Sequence, residues 1–470
     1  IRDFCLSRGL GDVYKKQGQF DGSFNAGGWQ PAGQAPGATM DAGAPLWHAL
    51  SVEGQVYDGR LAISFGFSGR RIDRARVQAL ADAYQAALTA LIAHCAAGPQ
   101  GVTPSDVPQA RLTQHQLDAL PIPAARLEDL LGLSPMQAGM LFHTQFDPRR
   151  QAYVMQLRAE IGGLNPERFR AAWTQALACH AALRSGFVAH GGDWLQWVAR
   201  DAALPWSAHD GRVLRQAERG AWIDGIAQAE RDAGFDLSQP PLMRCALLRT
   251  SENGWTFLWT CHHLLLDGWS ASRLLGDVLR AYQGVPLTAP VVRYRDYLAW
   301  RETRDDAATQ AFWEHETRAL EAPTHLAPAL GGGDADAADR GHAEWVDLLD
   351  NAKTAALTRL ARDARVTVNT VLQTGWALVL RRLLGREVVA FGATTAGRPA
   401  SLPGAQDMLG LFINTLPVVV ELPPGERVAD SLRAQQARHA AAREHEHAPL
   451  HQVQRLSLIH ISEPTRQAEI

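Results

Sequence analysis

The sequence predicts a mixed α/β protein with a bilobal main part, and three observations lead there. Beyond about Ala125, segments with apolar side chains at helical spacing alternate with short runs of strand character. Asp-Gly and Asn-Gly pairs stand between such runs, where hairpins turn. Proline and glycine crowd one early stretch and glycine a second one midway, which divides the chain into parts.

The elements follow in order. "LSVEGQVYDGRLAISFGFS" (Leu50 to Ser68) reads as strand, turn at Asp58-Gly59, and strand. In "RIDRARVQALADAYQAALTALIAHC" the residues Val77, Leu80, Tyr84, Leu88 and Leu91 recur at helical spacing and predict one burial face. Residues 98–126 carry too many prolines and glycines for a long element and read as a linker. After it, "NPERFRAAWTQALACHAALRSGF" opens a helix at Asn165 with Pro166 just inside. "LMRCALLRTSENGWTFLWTCHH" offers two strands joined at Asn253-Gly254. "LGGGDADAADRG" (Leu330 to Gly341) is a flexible connector between two lobes, about 127–320 and 340–457. Strands and helices then resume through "HAEWVDLL", "NAKTAALTRLARDARV", "NTVLQTGWALVLRRLLG", "EVVAFGATT" and "INTLPVVVEL".

Composition narrows the function classes. The 470 residues are 46% hydrophobic with a net charge of −3, so no strong field of either sign recruits nucleic acid or anionic lipid. No run is apolar for long enough to span a bilayer, and the start lacks the order of a signal peptide. Five scattered cysteines (Cys5, Cys95, Cys179, Cys245, Cys261) fit reduced thiols, and the expected compartment is the cytoplasm. Lysine occurs only at positions 15, 16 and 353 among 46 basic residues. The lysine pair and the closing "LIHISEPTRQAEI" break the surrounding style and resemble translated sequencing-adapter read-through. Residues 1–17 and 458–470 are therefore expected to be non-native tails and are set aside.

Chemistry concentrates in "WTFLWTCHHLLLDGWSASRLLGDVLRAY" (Trp255 to Tyr282). Trp255 to Cys261 alternates as a buried strand, and from Ser270 a helix begins whose Leu274, Leu275, Val278, Leu279 and Tyr282 share a face. His262, His263, Asp267 and Gly268 fall at the junction. Neighbouring histidines on a strand point to opposite sides, so only one faces a reactant and the pair does not ligate one metal. A histidine is the side chain best matched to taking a proton near neutral pH. Asp267 suits holding the loop through an arginine, with Gly268 permitting close backbone approach. The local pattern leaves a second reading open, in which both histidines are satisfied in the core and Asp267 only opens a turn.

"HHLLLDGWS" (His262 to Ser270) resembles the HHxxxDG motif of the condensation domains of nonribosomal peptide synthetases, itself related to that of the chloramphenicol acetyltransferase family. In the family's order stand "LSPMQAGMLFHTQFDP", "HAALRSGF", "YRDYLAW", "FGATTAGRP", "GLFINTLP" and "HEHAPLHQVQ". The resemblance covers residues 127–457. It implies two chloramphenicol-acetyltransferase-like lobes in a V-shaped pseudo-dimer, with a channel between them entered from opposite faces by two carrier-bound substrates. It implies His263 as the functional histidine, directed at the amine of an acceptor aminoacyl thioester, and Asp267 as structural. Arg398 in "AGRP" is the expected partner of Asp267, with Arg184 in "ALRSGF" the second choice. His262 is expected to fix the strand end, and Gly268, Trp269 and Asn414 to shape or line the channel.

No Walker motif, GxSxG elbow or zinc spacing is found, and no intrinsic cofactor is implied. The implied partners are peptidyl carrier domains upstream and downstream, bearing 4'-phosphopantetheine and the aminoacyl and peptidyl thioesters, and an adjacent adenylation domain. Nucleic acid and membrane are not expected partners. Residues 18–97, with "GQFDGSF" and "VYDGRLAISFGFS", resemble the C-terminal remnant of an epimerisation domain. That neighbourhood implies a D-terminated donor. The alternatives are an epimerisation domain, a catalytically silent recruitment platform, or a coenzyme A-dependent acyltransferase. Trp269 and "GLFINTLP" in place of FNYLG favour condensation over epimerisation.

Overall fold

The structure is a computed structural model that describes residues 13–19, 48–57, 60–97, 101–146, 153–326, 328–330 and 344–456. It divides into two compact units, 1–100 and 101–470. In the first, β1 (Val13–Gln19) runs parallel to β2 (Leu50–Tyr57), and β2 pairs antiparallel with β3 (Arg60–Phe67). The hairpin expected from sequence is present, although its turn residues Asp58 and Gly59 lie outside the described residues. Strand β1 also takes in the last residues of the stretch set aside as foreign.

Helix α1 (Arg74–Ala96) departs from the expected burial face. Val77 is buried and Tyr84 meets the edge of Phe65 at 6.0 Å, but Leu80 and Leu91 are exposed. Helical spacing marks which side chains are able to share a layer. Among the described residues of this unit nothing lies over the far half of that stripe.

The second unit begins with the segment read as a linker, and this segment is folded down. It carries α2 (Gln114–Asp118), and its Val107, Ala110, Leu117 and Leu120 are buried against Leu130, Val188, Leu195 and Trp197. Those partners belong to a three-stranded sheet in the order β4 (Leu127–Leu131), β7 (Asp193–Ala199), β6 (Ser185–His190). Between β4 and β6 run α3 (Pro135–Phe146), β5 (Val154–Gly162) and α4 (Pro166–Cys179). Asn165 caps α4 as its spacing predicts, its side chain accepting the Arg168 N–H at 3.0 Å.

The four-stranded sheet carries the site. Its order is β5, β10 (Gly254–His262), β9 (Met243–Arg249), β8 (Trp206–Asp210), antiparallel except where β8 meets β9. Both faces of β10 are buried because each has a helical cover. Phe257, Trp259 and Cys261 join the large core with Phe169 and Trp173 of α4 and with Leu274 and Val278 of α6 (Gly268–Tyr282). Leu258, with Ala246 and Leu248 of β9, packs instead on Ile223 and Ala227 of α5 (Gln216–Asp232). The β9–β10 connection differs from a two-residue Asn-Gly turn. Gly254 already belongs to β10, and its carbonyl accepts the N–H groups of Thr250 and Ser251. On α6 the shared face is narrower than expected, since Leu279 is exposed.

After α7 (Tyr294–Glu302) and α8 (Asp306–Thr317) the connector 331–343 lies outside the described residues. "HAEWVDLL" forms no strand in its described part, and Trp345 and Leu348 are 93% and 87% exposed. Alternation marks two faces, but a strand also needs a neighbouring edge to pair with, and none meets this segment among the described residues. Helices α9 (Asn351–Ala364) and α10 (Val368–Leu384) follow, then the antiparallel pair β11 (Val388–Thr395) and β12 (Asn414–Glu421). Helices α11 (Val428–Ala442) and α12 (Leu450–Leu456) complete the unit. Among the described residues no helix is long and apolar enough to cross a membrane.

Candidate active site

Strand parity separates the two histidines. His262 follows Leu258 and Thr260 on the α5 side of β10, where it is 4% exposed and meets the edge of Phe235 at 6.4 Å between ring centroids. Its Nδ1 accepts the Leu264 N–H at 3.2 Å, so the ring ties down the turn that follows its own strand. Burial, with a smaller contribution from the neighbouring His263, lowers its pKa to about 4. The ring is therefore neutral at physiological pH.

This neutrality has a measurable consequence. A histidine depressed from 6.5 to about 4 by folding stabilises the folded protein fully above pH 6.5, and that contribution drains away as pH falls toward 4. The size is on the order of 3 kcal/mol. Urea unfolding between pH 7 and 4 is expected to show a shallower acid limb in His262→Gln than in the unsubstituted chain. An identical slope would remove the assignment.

His263 stands just past the end of β10. Its N–H donates to the Tyr153 carbonyl at 2.8 Å, prolonging the β5–β10 ladder by one bond. The ring is half-buried, and its Nδ1 is buried without a hydrogen-bond partner among the described residues. The next three side chains, Leu264, Leu265 and Leu266, are all buried in the main core and act as the turn's anchor. Residues 147–152, just before Tyr153, lie outside the described residues.

Asp267 ends the turn and caps α6, its Oδ1 accepting the Ser270 N–H at 2.7 Å. It is fully buried, and two further groups answer its charge: the Phe412 N–H donates to Oδ2 at 2.9 Å and Arg398 Nη2 stands 3.4 Å from Oδ1, while its own backbone N–H donates to the Gly410 carbonyl. Arg398 Nη2 also donates to Ser270 Oγ at 2.7 Å, and that hydroxyl donates on to the Gly410 carbonyl at 2.7 Å. The other guanidinium nitrogen, Nη1, donates to the carbonyls of Ala405 and Met408, while the plane lies 4.0 Å over the Phe412 ring. Burial lowers the Arg398 pKa and the Asp267 charge opposes that shift. Gly397 makes the approach possible: its φ is +59°, and a Cβ there would lie 1.7 Å from the Phe412 carbonyl oxygen.

The remaining expected residues are placed as follows. Arg184, the second choice for Asp267, pairs elsewhere: it meets Glu128 and the carbonyls of Ala199 and Arg200. Its short helical turn follows α4 directly, so it faces β4 and the end of β7. Gly268 opens onto free space, since a Cβ there meets nothing within 4 Å. Trp269 is 53% exposed and donates through Nε1 to the Gln406 carbonyl. Asn414, expected in the channel lining, is instead buried. Its Nδ2 donates to the carbonyls of Glu446 and Ala448, and its Oδ1 accepts the Thr415 N–H, so the side chain is spent on holding the loop 446–448. A cavity of about 180 Å³ lies beside Glu128, Arg184 and Arg293, and another of about 570 Å³ beside Arg126 and Pro240. His263 borders neither.

Sequence reading missed Ser270, which bridges Arg398 to Gly410, and Gln137, which reaches the Leu264 carbonyl. A signal existed for the second. Ser134 and Gln137 stand at the spacing of a capping box, and both of its bonds are made. Among the described residues no three histidine, cysteine or acidic side chains are grouped to hold a metal.

A half-buried histidine just past a strand end and a buried Asp–Arg pair in an α/β unit make up the site that the resemblance to acyltransferase-type domains implied. A family model described as condensation domain matches residues 128–465. One of the linear gramicidin synthase proteins of Brevibacillus parabrevis is 35% identical over 451 residues, covering 92% of this chain and 9% of its own length. Bacitracin synthase 3 of Bacillus licheniformis is 31% identical over 473 residues, covering 97% of this chain and 7% of its own. A mutant of the starter condensation domain of rhizomide synthetase, solved in complex with C8-CoA, superposes with a TM-score of 0.56 at 21% identity, over 72% of this chain and 77% of that one. That likeness carries the fold alone. The chain belongs to the condensation-domain family of nonribosomal peptide synthetases, whose domains are acyltransferase-type enzymes that form peptide bonds. It spans less than a tenth of the length of these two synthetases.

Proposed function

We propose that residues 127–457 join a carrier-bound peptidyl thioester, D-terminated, to the amine of a carrier-bound aminoacyl thioester. The observation that carries this reading is the half-buried ring of His263 on a backbone held by Tyr153, four residues before the sealed Asp267 of the Asp267–Arg398 pair. With Nδ1 buried, Nε2 is the nitrogen left for a reactant. It accepts the proton that the acceptor ammonium must lose before its lone pair can add to the donor carbonyl carbon. The C–N bond forms, the C–S bond breaks, and the leaving thiolate takes up a proton. His262, buried and neutral, is excluded from this work by its position.

A thioester is already activated, so the demand on the base is modest. Placing both tethered substrates together supplies about 7 to 11 kcal/mol at best, whereas a positioned base adds roughly 10²- to 10⁴-fold. Positioning therefore outranks proton transfer. The phosphopantetheine arms belong to partner carrier domains, with an adenylation domain adjacent, and residues 18–97 are read as the end of an epimerisation domain. That neighbourhood supports the D-configured donor. Two carriers loaded with D- or L-terminated donor and an aminoacyl acceptor, with products weighed by mass spectrometry, test reaction and stereochemistry together. Amide product is expected, formed from the L donor at least about tenfold more slowly. Equal rates would overturn the stereochemical part, and no amide from either donor the whole.

A further inference from the structure

The turn that carries His263 is pinned on three sides. Tyr153 O accepts the His263 N–H, His262 Nδ1 accepts the Leu264 N–H, and the Leu264 carbonyl takes a hydrogen bond at 3.2 Å from Gln137 Nε2. The first two pins come from the sheet itself. The third comes from the start of α3, more than a hundred residues earlier in the chain.

Gln137 is 1% exposed, and its carboxamide has no freedom to turn over. Oε1 accepts the Ser134 N–H at 2.9 Å and faces the Tyr294 hydroxyl at 3.4 Å. Nε2 has two hydrogens and two acceptors, the Leu264 carbonyl and Gln196 Oε1 at 3.0 Å. Reversing the amide would set oxygen against two oxygens and nitrogen against a donor N–H. Its neighbours are fixed in turn. Gln196 Nε2 donates to Ser185 Oγ at 2.8 Å, and the Tyr294 hydroxyl donates to the Leu411 carbonyl at 2.8 Å, next to the Phe412 N–H that holds Asp267. Gln137 thus touches both the His263 turn and, through Tyr294, the segment 410–412 that seats Asp267. Buried networks with every valence filled are rigid, because any rearrangement leaves a polar group unpaired.

We propose that Gln137 is a positioning residue for peptide-bond formation: its carboxamide fixes the Leu264 peptide and so the attitude of the His263 ring. The inference rests on His263 being the functional histidine. Loss of the third pin removes the donor to the Leu264 carbonyl and leaves the turn to its two sheet-side bonds and its buried leucines, and a displacement of about 1 Å at a reacting centre costs roughly 10²-fold.

The test uses the whole chain with two loaded carriers and four variants. In Gln137→Met, kcat is expected to fall roughly 10- to 100-fold with the KM for the acceptor carrier unchanged. Gln196→Met breaks the same network on the side away from the turn, and is expected to lower the unfolding midpoint similarly while leaving kcat within about threefold. Gln137→Glu is the discriminating variant. Ionised, it opposes two oxygens; protonated, it regains one donor, so its turnover relative to the parent chain is expected to rise as pH falls from 8 to 6. Should Gln137→Met not fold, the Gln137→Glu pH profile decides alone. Equal kcat losses in Gln137→Met and Gln196→Met, or a parallel pH profile in Gln137→Glu, overturn the inference. His263→Ala keeps the two readings apart: an inactive His263→Ala beside a fully active Gln137→Met sinks only the role of Gln137, and an active His263→Ala sinks the reading beneath it.

Discussion

His263→Ala is expected to lower the rate of amide formation between two loaded carriers by roughly 10²- to 10⁴-fold while leaving the unfolding midpoint nearly unchanged. The ring is half-exposed, and no hydrogen bond of its side chain appears among the described residues, so truncation removes little that holds the fold. The neighbouring position behaves in the opposite way. His262 is packed against Phe235 and tied to Leu264, so its replacement registers first in stability. A continuous assay of released thiol, with amide confirmed by mass, separates the two. Turnover of His263→Ala within about threefold of the parent would end the base assignment.

Arg398→Ala is expected to destabilise the chain by about 3 to 5 kcal/mol, because it leaves the Asp267 carboxylate buried without its counter-charge. The loss reaches beyond the pair. Ala405 O and Met408 O lose the Arg398 donor, Ser270 Oγ keeps only the Gly410 N–H as donor, and the ring of Phe412 loses its cationic cover. Asp267→Asn is expected to cost less, but its amide sets a donor against either the Phe412 N–H or Arg398 and the Ser270 N–H. Urea unfolding of both variants, with the double variant closing the cycle, checks this. Independent effects that simply add would show that the pair is not a unit.

Part of this site was legible beforehand because its signals are local. The apolar stripe after Gly268 announces a helix, although its start reads as Ser270 and the fold begins it at Gly268 with Asp267 as cap, and the run Phe257, Leu258, Trp259 and Cys261 announces a buried strand. The two-histidine parity argument needs no tertiary information either. The pairing of Asp267 with Arg398 rested on family resemblance, since nothing in the spacing of residues 267 and 398 relates them. Asn414 shows the limit in the other direction. Its motif marks importance, but only the fold shows that the amide holds the loop 446–448.

Residue order was enough for part of the periodicity: the helices at 74–96, 166–179, 268–282 and 351–384, the strand pairs at 50–67, 243–262 and 388–421, the strand-to-helix junction, and that the two histidines face opposite sides. Packing had to assign the partners of buried polar groups, namely Ser270 between Arg398 and Gly410, Arg184 with Glu128, and Gln137 on the Leu264 carbonyl. It also settled that Trp345 to Leu349 makes no strand and that Leu80 and Leu91 stay bare. The reason is common to both. A side-chain pattern fixes what a segment is able to bury or donate, whereas the group that receives it comes from residues far along the chain, whose approach is set only when all layers pack at once.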